Sequence, residues 1–306
     1  MTQSAERLLG ACVFPPAHSA VALAVSGGPD SVGLLLLALD AGLDVRVHHV
    51  DHHARPTSGE DANYVRELCD LLKVSCVIHD VDVATGANFE ARARAERRRV
   101  LPESSLTGHT MDDLAETVLL NMMRGAGIDG LSPMVNDPTK PLRGLRRGEL
   151  HEYVDQANVH PRHDESNDDV AFLRNRVRHQ LLPLMCEVAS RDVVPLLARQ
   201  ADIIFEERAW LDELSSIDAE RALDDVDCRE LRAWPRARLR RWLRLKLLDV
   251  DELHEQHPPS AAEVERALNV VVGDVIATEL SGGRRLARRG QRLALEGGST
   301  SLTTHG

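Results

Sequence analysis

The sequence predicts an α/β protein with a doubly wound, mainly parallel sheet, followed by a smaller, mainly helical C-terminal domain. Strand and helix patterns alternate from about residue 20 to residue 123, and helices between strands are the crossovers that a parallel sheet requires. After about residue 190 the pattern becomes almost wholly helical. A chain of 306 residues is long enough for two domains, and we expect them over residues 1–188 and 189–306.

The predicted strands of the first domain are short apolar runs in which β-forming residues recur at alternate positions. They cover residues 21–25, 45–50, 76–81 and 105–107. Helical periodicity follows each strand, over residues 32–39, 60–72, 89–100 and 112–123. The next stretch, residues 125–141, is rich in Gly, Pro, Asn and Asp and predicts an irregular loop.

The remaining pattern is helical until close to the C-terminus. Helical periodicity returns from residue 148 and again over residues 174–187, where Pro183 is expected to interrupt the helix. Later helices are predicted over residues 196–215, 236–248 and 261–271. Short apolar runs between residues 275 and 295 predict small strands at the end of the second domain.

A glycine turn joins the first predicted strand to the helix that follows it. Backbone N–H groups and the helix dipole at such a junction bind anions. The turn lacks the four residues between glycines and the Gly-Lys-Ser/Thr ending of the Walker loop. We predict that it binds the phosphates of a nucleotide through Ser26, Gly27, Gly28, Pro29, Asp30 and Ser31.

Further polar clusters follow the other strands, at residues 48–53 and 108–113. Ligands of parallel sheets bind beyond the carboxyl ends of the strands, so these clusters are expected to converge on the phosphate loop. The histidine-rich run at residues 48–53 invites a metal interpretation, but neighbouring residues of a strand point to opposite faces. Since a catalytic zinc needs three converging ligands, we expect this run to line the nucleotide pocket instead.

Acidic residues open the fourth predicted helix. Thr110 can cap this helix, with Asp113 in the capping-box position. Asp113 and Glu116 are three residues apart and therefore share a helix face. If this face looks towards Asp30, the acids could bind Mg²⁺ or a cationic group of a substrate, because Mg²⁺ prefers carboxylate and phosphate oxygens.

Arginines are clustered although the chain carries a formal net charge of −11. Such a net charge argues weakly against a nucleic-acid partner, but segregated charge can override it. Arginine clusters at residues 92–99, 174–178, 236–246 and 284–292 favour a polyanionic partner that touches several surfaces. Arg174 and Arg178, four residues apart, suit a phosphate or a developing anion.

The composition also limits the location of the protein and its redox chemistry. No apolar run approaches the ~20 residues that a membrane helix needs, and the N-terminus lacks the features of a signal peptide. We therefore expect no membrane partner and a cytoplasmic location. The five cysteines are scattered without a Cys-x-x-Cys pair, which predicts neither a disulfide framework nor a sulfur-bound metal.

The phosphate loop resembles the PP-loop of ATP pyrophosphatases. Further motifs follow in order from residue 20 to 187, and together they resemble the tRNA(Ile)-lysidine synthetase family. They are His49-Val-Asp-His52, Arg55-Pro56, Gly108-His-Thr-x-Asp-Asp-x-x-Glu-Thr117, the run 124–131, Asp164-x-Ser-Asn-x-Asp169 and Arg174-Asn-x-x-Arg178. Ala54, Leu114 and Glu165 stand where leucine, glutamine and proline are usual in that family, and beyond Ser190 the resemblance is weak.

The resemblance implies a two-step reaction on the wobble cytidine of the isoleucine tRNA with a CAU anticodon. ATP adenylylates the 2-carbonyl oxygen of cytosine, and the ε-amine of free L-lysine then displaces AMP. ATP and Mg²⁺ are the implied small-molecule partners, the family suggests a homodimer, and the second domain is expected to bind tRNA.

The resemblance also assigns roles to the residues that match the motifs. The phosphate loop would cradle ATP, with His49 and His109 beside it. Asp30 and Asp113 would hold Mg²⁺ or orient the reacting groups, and Glu116 would favour the lysine ammonium. Arg178 or Arg174 would stabilise developing charge. The predicted tRNA contacts are Arg92, Arg94, Arg97, Arg174 and Asn175.

Other hypotheses explain part of the pattern. A tRNA thiolase shares the PP-loop, but it needs paired or catalytic cysteines, and Cys69 and Cys76 fall in a helix and in the next strand. A synthetase that takes ammonia from glutamine would need a further domain with a nucleophilic cysteine. A nucleotide sensor without enzymatic activity would explain the loop, but not Asp113, Glu116 and the arginine clusters together.

Overall fold

The computed structural model describes residues 3–52, 58–81, 89–162, 172–219, 221–250 and 256–297. The chain forms two compact units. Unit 1 comprises residues 1–124 and 130–203, and unit 2 comprises residues 125–129 and 204–306. The predicted domains of residues 1–188 and 189–306, with tRNA binding assigned to the second, stay a prediction. No helix among the described residues has the length and apolar character to cross a membrane.

Unit 1 contains the predicted parallel sheet. Its strands are β1 (Ala20–Ala24), β2 (Asp44–Asp51) and β3 (Ser75–Asp80), in the order β1-β2-β3. The fourth predicted strand is reduced to a parallel bridge between Leu106 and Leu23. The Leu106 N–H donates to Ala22 O at 2.8 Å and the Ala24 N–H donates to Leu106 O at 2.9 Å, while the N–H of Thr107 donates to Thr139 O at 2.9 Å.

The predicted helices of unit 1 are present, together with a first helix that was not predicted. The helices of unit 1 begin with α1 (Gln3–Leu9), α2 (Pro29–Asp40), α3 (Ser58–Leu72), α4 (Phe89–Val100), α5 (Met111–Met123) and α6 (Arg147–Gln156). They continue with α7 (Leu173–Arg176), a π-helical turn (Val177–Leu181), α8 (Leu182–Ala189) and the start of α9 (Val194–Ala219). The helix break predicted at Pro183 is wrong, because α7, the π-helical turn and α8 follow one another without a gap and Pro183 lies in the first turn of α8. A π-helical turn before a proline accommodates the missing N–H.

A close contact between α2 and α6 decides which residues reach the phosphate loop. Leu150 is fully buried on α6. A Cβ atom at Gly33 would lie 2.6 Å from its side chain, so only glycine allows this approach. The contact lies near the N-terminus of both helices, and it therefore brings the first turn of α6 beside the phosphate loop.

Unit 2 is mainly helical and ends in a small sheet. Its helices after α9 are α10 (Cys228–Arg232), α11 (Arg236–Lys246) and α12 (Ala261–Val272), and β4 (Asp249–Val250) pairs with β5 (Gln256–His257). The predicted C-terminal strands are confirmed as an antiparallel sheet of β6 (Ala277–Glu279), β7 (Arg285–Arg289) and β8 (Arg292–Glu296). Trp242, Leu243 and Leu286 are buried in its core.

Candidate active site

The phosphate loop is curled around the hydroxyl of Ser31. The Ser31 Oγ accepts hydrogen bonds from the backbone N–H groups of Ser26 and Gly27, both at 3.2 Å, and donates to Gly28 O at 2.9 Å. Gly28 is the N-cap of α2 and Pro29 follows in its first turn. The first N–H groups of a helix have no acceptor within the helix, so this end of α2 suits a phosphate.

Arg162 connects the phosphate loop to α3 by hydrogen bonds. Its backbone N–H donates to Gly27 O at 2.9 Å. Its guanidinium donates to Asp61 Oδ1 at 3.0 Å and to Glu60 Oε2 at 2.8 Å. These contacts join three separate segments of the chain and stabilise the loop in one conformation.

The segment before α5 contacts the phosphate loop directly. A Cβ atom at Gly108 would lie 2.5 Å from Asp30 O, so glycine is required at this crossing of two backbones. The predicted capping box then begins α5: Asp113 Oδ2 accepts hydrogen bonds from the backbone N–H and the hydroxyl of Thr110, both at 2.9 Å. The N-terminal end of α5 is thereby held against the N-terminal end of α2.

Asp113 and Glu116 share a buried face of α5, as their spacing predicts. Glu116 is fully buried and Asp113 is 7 % exposed. Both carboxylates accept hydrogen bonds from Arg174, whose Nε lies 2.9 Å from Glu116 Oε2 and whose Nη2 lies 2.9 Å from Asp113 Oδ1. Arg178 binds Glu116 with two guanidinium nitrogens, at 2.7 and 3.1 Å. The two predicted anion-binding arginines therefore contact the predicted catalytic acids.

Arg147 and His151 complete this cluster from α6, and sequence analysis missed both. Arg147 donates to Asp113 Oδ1 at 2.9 Å and to Glu116 Oε1 at 3.0 Å, and its Nε lies 3.4 Å from Asp30 Oδ2. His151 Nε2 lies 2.8 Å from Asp30 Oδ1. The available signal was their four-residue spacing at the start of a helix, the same spacing as that of Arg174 and Arg178.

Neighbouring charges shift the pKa values of Asp112, Asp113 and Arg147. Burial by itself raises the pKa of Asp113, but Arg147, the Thr110 N–H and Arg174 outweigh it and lower the pKa to about 2. Burial opposes the charge of Arg147 as well, yet the neighbouring acids raise its pKa above the ordinary value. Asp112 faces Arg146, which donates to both of its oxygens, and its pKa is also lowered despite burial. These acids are therefore carboxylates at neutral pH.

Comparisons with known proteins show the family of the chain. The family model of the PP-loop domain matches residues 1–185. The tRNA(Ile)-lysidine synthase of Gloeobacter violaceus is 37% identical over 228 residues, which is 68% of this chain and 70% of that protein. The tRNA(Ile)-lysidine synthase of Rhodococcus erythropolis is 36% identical over 241 residues, with 74% of each chain covered. The chain belongs to the tRNA(Ile)-lysidine synthase family.

Membership of the lysidine synthase family confirms the resemblance noted in the sequence and makes the chain an ATP-dependent, tRNA-modifying ligase of the PP-loop type. Among solved structures, the U34-tRNA thiolase NcsA from Methanococcus maripaludis with its [4Fe-4S] cluster has a TM-score of 0.54 at 15% identity, over 67% of this chain and 78% of its own. At that identity the likeness concerns the fold alone, and it supports the PP-loop architecture.

The two histidines predicted to bind the nucleotide make different contacts near the loop. His49 is 4 % exposed, and its Nδ1–H donates to Val25 O, at the end of β1, at 2.8 Å. His49 thus supports the junction of strand and loop. His109 Nδ1 lies 2.8 Å from Thr107 Oγ1. A direct contact of either histidine with the nucleotide stays a prediction.

The predicted magnesium ligands differ in how well they fit the ion. Asp30 has a side chain that is 30% exposed and lies in the phosphate loop, which suits Mg²⁺ shared between a carboxylate and phosphate oxygens. Both oxygens of Asp113 already accept hydrogen bonds, so a metal contact there requires an arginine to move. The described part of the chain, which includes all five cysteines, contains no group of three or more His, Cys, Asp or Glu side chains suited to a metal ion.

The predicted tRNA contacts fall in two places. Arg92 and Arg97 are exposed on α4, which also carries Arg94. Asn175, by contrast, is only 8 % exposed, and Arg174 is paired with the acids, so a tRNA contact by either stays a prediction. The motif residues at 53–57 and 163–171 lie outside the described residues.

Proposed function

We propose that this chain joins L-lysine to carbon 2 of the wobble cytidine in the isoleucine tRNA with a CAU anticodon. In the first step, the cytosine 2-carbonyl oxygen attacks the α-phosphorus of ATP, and pyrophosphate leaves. In the second step, the lysine ε-amine attacks carbon 2, and AMP leaves with the oxygen. The observation that carries this proposal is the direct contact of the phosphate loop with the cluster of acids and arginines, through Gly108 and Arg147.

Adenylylation requires the phosphates of ATP to be held and the charge of pyrophosphate to be stabilised as it leaves. The N–H groups at the start of α2 would bind phosphate oxygens, and Ser31 would keep the loop in shape for them. Mg²⁺ held by Asp30 would supply further positive charge to the phosphates. Arg174 and Arg178 are preorganised cations at the same site, and such groups stabilise charge that develops in a transition state.

Lysine transfer requires the substrate ammonium to be bound and to lose a proton before attack. Asp113 and Glu116 are buried carboxylates beside the loop, and they would bind the ammonium by charge-assisted hydrogen bonds. Burial strengthens this attraction because the local dielectric is low. An arginine must then leave these carboxylates, since arginines occupy their oxygens.

The tRNA would be held mainly through its phosphates. The exposed arginines of α4 suit this role, and binding of this kind weakens as salt increases. The target base lies in an anticodon loop, so it can enter a pocket without melting a duplex. We further propose a homodimer acting in the cytoplasm, to be tested by light scattering and by cell fractionation.

A lysine incorporation assay tests the proposed reaction. The protein is incubated with ATP, labelled L-lysine and a transcript of the isoleucine tRNA with a CAU anticodon. Label entering the tRNA with stoichiometric release of AMP supports the proposal. Release of AMP without incorporation, or incorporation into a transcript whose wobble base is uridine, refutes it.

Two pairs of variants test which residues carry the reaction and the binding of tRNA. Asp30→Ala should abolish turnover, whereas Asp44→Ala, an exposed residue where β2 begins, should not change it. Arg97→Ala should weaken tRNA binding and leave ATP binding intact. Its control is Arg7→Ala, because the side chain of Arg7 is 65% exposed on α1; this variant should change neither. An unchanged tRNA affinity for Arg97→Ala would count against α4 as the tRNA-binding surface.

A further inference from the structure

Arg147 lies at the centre of the carboxylate cluster. Its guanidinium is within hydrogen-bonding or ion-pair distance of Asp30, Asp113 and Glu116, at 3.4, 2.9 and 3.0 Å. Its backbone N–H donates to Asp112 Oδ2 at 2.8 Å. The side chain is only 16% exposed. One cation is thus held by carboxylates from the phosphate loop and from α5.

The acids proposed to bind lysine have no oxygen left for it. Asp113 uses Oδ2 for Thr110 and Oδ1 for Arg147 and Arg174. On Glu116, Oε1 and Oε2 each accept from two arginine nitrogens. An ammonium brings three donors and no acceptor, so it can bind here only where a guanidinium has left.

Arg147 is the arginine that bound ATP would draw away from Asp113 and Glu116. Of the three arginines among the described residues that bind Asp113 and Glu116, it is the one whose guanidinium also lies within ion-pair distance of Asp30, one residue after the proline that begins α2. Phosphate oxygens bound at the start of α2 would attract a neighbouring guanidinium, because arginine binds phosphate with two parallel hydrogen bonds. Its departure would leave a gap lined by the three carboxylates, which an ammonium can fill.

We propose that Arg147 is a positioning residue that occupies the ammonium site for lysine until ATP binds. The inference rests on the proposed function and adds an order to it: ATP binds first, its phosphates draw Arg147 to the loop, and lysine then binds the acids. The same movement brings a positive charge towards the pyrophosphate that leaves. Because coupling between two ligands is reciprocal, lysine must strengthen nucleotide binding by the same factor.

Calorimetric titration of the full chain with L-lysine tests this order, with and without a saturating non-hydrolysable ATP analogue. For the wild type we expect the analogue to tighten lysine binding by about tenfold or more, the usual size of such coupling. Arg147→Gln should bind lysine more tightly than the wild type without nucleotide, and the analogue should then change its affinity less than about threefold. Arg147→Lys keeps the charge and should restore part of the dependence on nucleotide.

Arg143→Gln is the matched control, because Arg143 lies four residues earlier and pairs with Asp202. A kinetic measurement separates positioning from a loss of structure. Arg147→Gln should lower the KM for lysine while pyrophosphate release slows by about a hundredfold, a typical effect of removing one preorganised donor. A general loss of structure would raise the KM values for lysine and ATP together.

The outcomes distinguish this inference from the proposed function. If the ATP analogue does not change the affinity of the wild type for lysine, the inference alone is overturned. The same holds if the lysine affinity of Arg147→Gln depends on nucleotide as strongly as that of the wild type. A wild-type protein that binds no lysine in either condition and incorporates none into tRNA overturns the proposed function and the inference with it.

Discussion

Glu116→Gln removes one negative charge from the centre of the site and should destabilise unit 1 strongly. The Glu116 side chain is fully buried. Its carboxylate accepts four hydrogen bonds, at 3.0, 2.9, 2.7 and 3.1 Å, from Arg147, Arg174 and Arg178. Glutamine retains one acceptor oxygen and presents an NH₂ donor to the remaining guanidinium nitrogens. Breaking a buried ion pair by removing one partner costs roughly 3–5 kcal/mol, a large part of the ~5–15 kcal/mol that stabilises a domain.

Hydrogen exchange of α5 peptides in increasing urea measures the loss of folding stability within unit 1. All three tryptophans lie in unit 2, at positions 210, 234 and 242, so tryptophan fluorescence serves as an internal control that should not change. Glu152→Gln, at an exposed position of α6, is the matched variant and should change stability by less than ~0.5 kcal/mol. If Glu116→Gln is as stable as this control, the carboxylate does not hold the arginines as argued.

Further predictions concern acid stability, backbone contacts and the phosphate loop. The pKa of Asp113 is lowered from 3.8 to about 2, so it stabilises the fold above pH ~4 by about 2 kcal/mol. This stability is lost as the pH falls from about 4 to 2, and urea unfolding of Asp113→Asn should lack that pH dependence. Gly108→Ala should cost about 1–3 kcal/mol and reduce activity, because its Cβ would lie 2.5 Å from Asp30 O. Gly148→Ala, with nothing within 4 Å of its Cβ, should be neutral or slightly stabilising, and thermal melts of the two variants measure both effects. Ser31→Ala should raise the KM for ATP without changing that for lysine, and equal effects on both would contradict a role confined to the loop.

The sequence was most informative where the relevant interactions are local. Strand β1, the phosphate loop and α2 follow one another without a gap, and the capping box of Thr110 and Asp113 spans three residues. Glycines, caps and periodicity report such structure because each depends on neighbours in the chain. The shared face of Asp113 and Glu116 was predictable for the same reason.

Contacts between distant segments could not be predicted in this way. Arg147 is 117 residues from Asp30 along the chain, and Arg178 is 62 residues from Glu116. Arg174 and Arg178 were predicted to bind a phosphate or a developing anion, and no periodic pattern indicates that they also contact Asp113 and Glu116. Arg147 was not predicted because no motif or periodic pattern within its own segment indicates that it contacts Asp30, Asp113 and Glu116.

By itself, the sequence determined the class of fold, the position of the phosphate loop, and the set of acids and arginines that mark the family. Only the tertiary structure decided which charges meet. Gly33 and Gly108 let α6 and the start of α5 approach α2 closely, and this packing holds three partly buried arginines against buried carboxylates that would otherwise be hydrated. Charges removed from water must find partners nearby, so the pairing is a property of the packed site and not of any single segment.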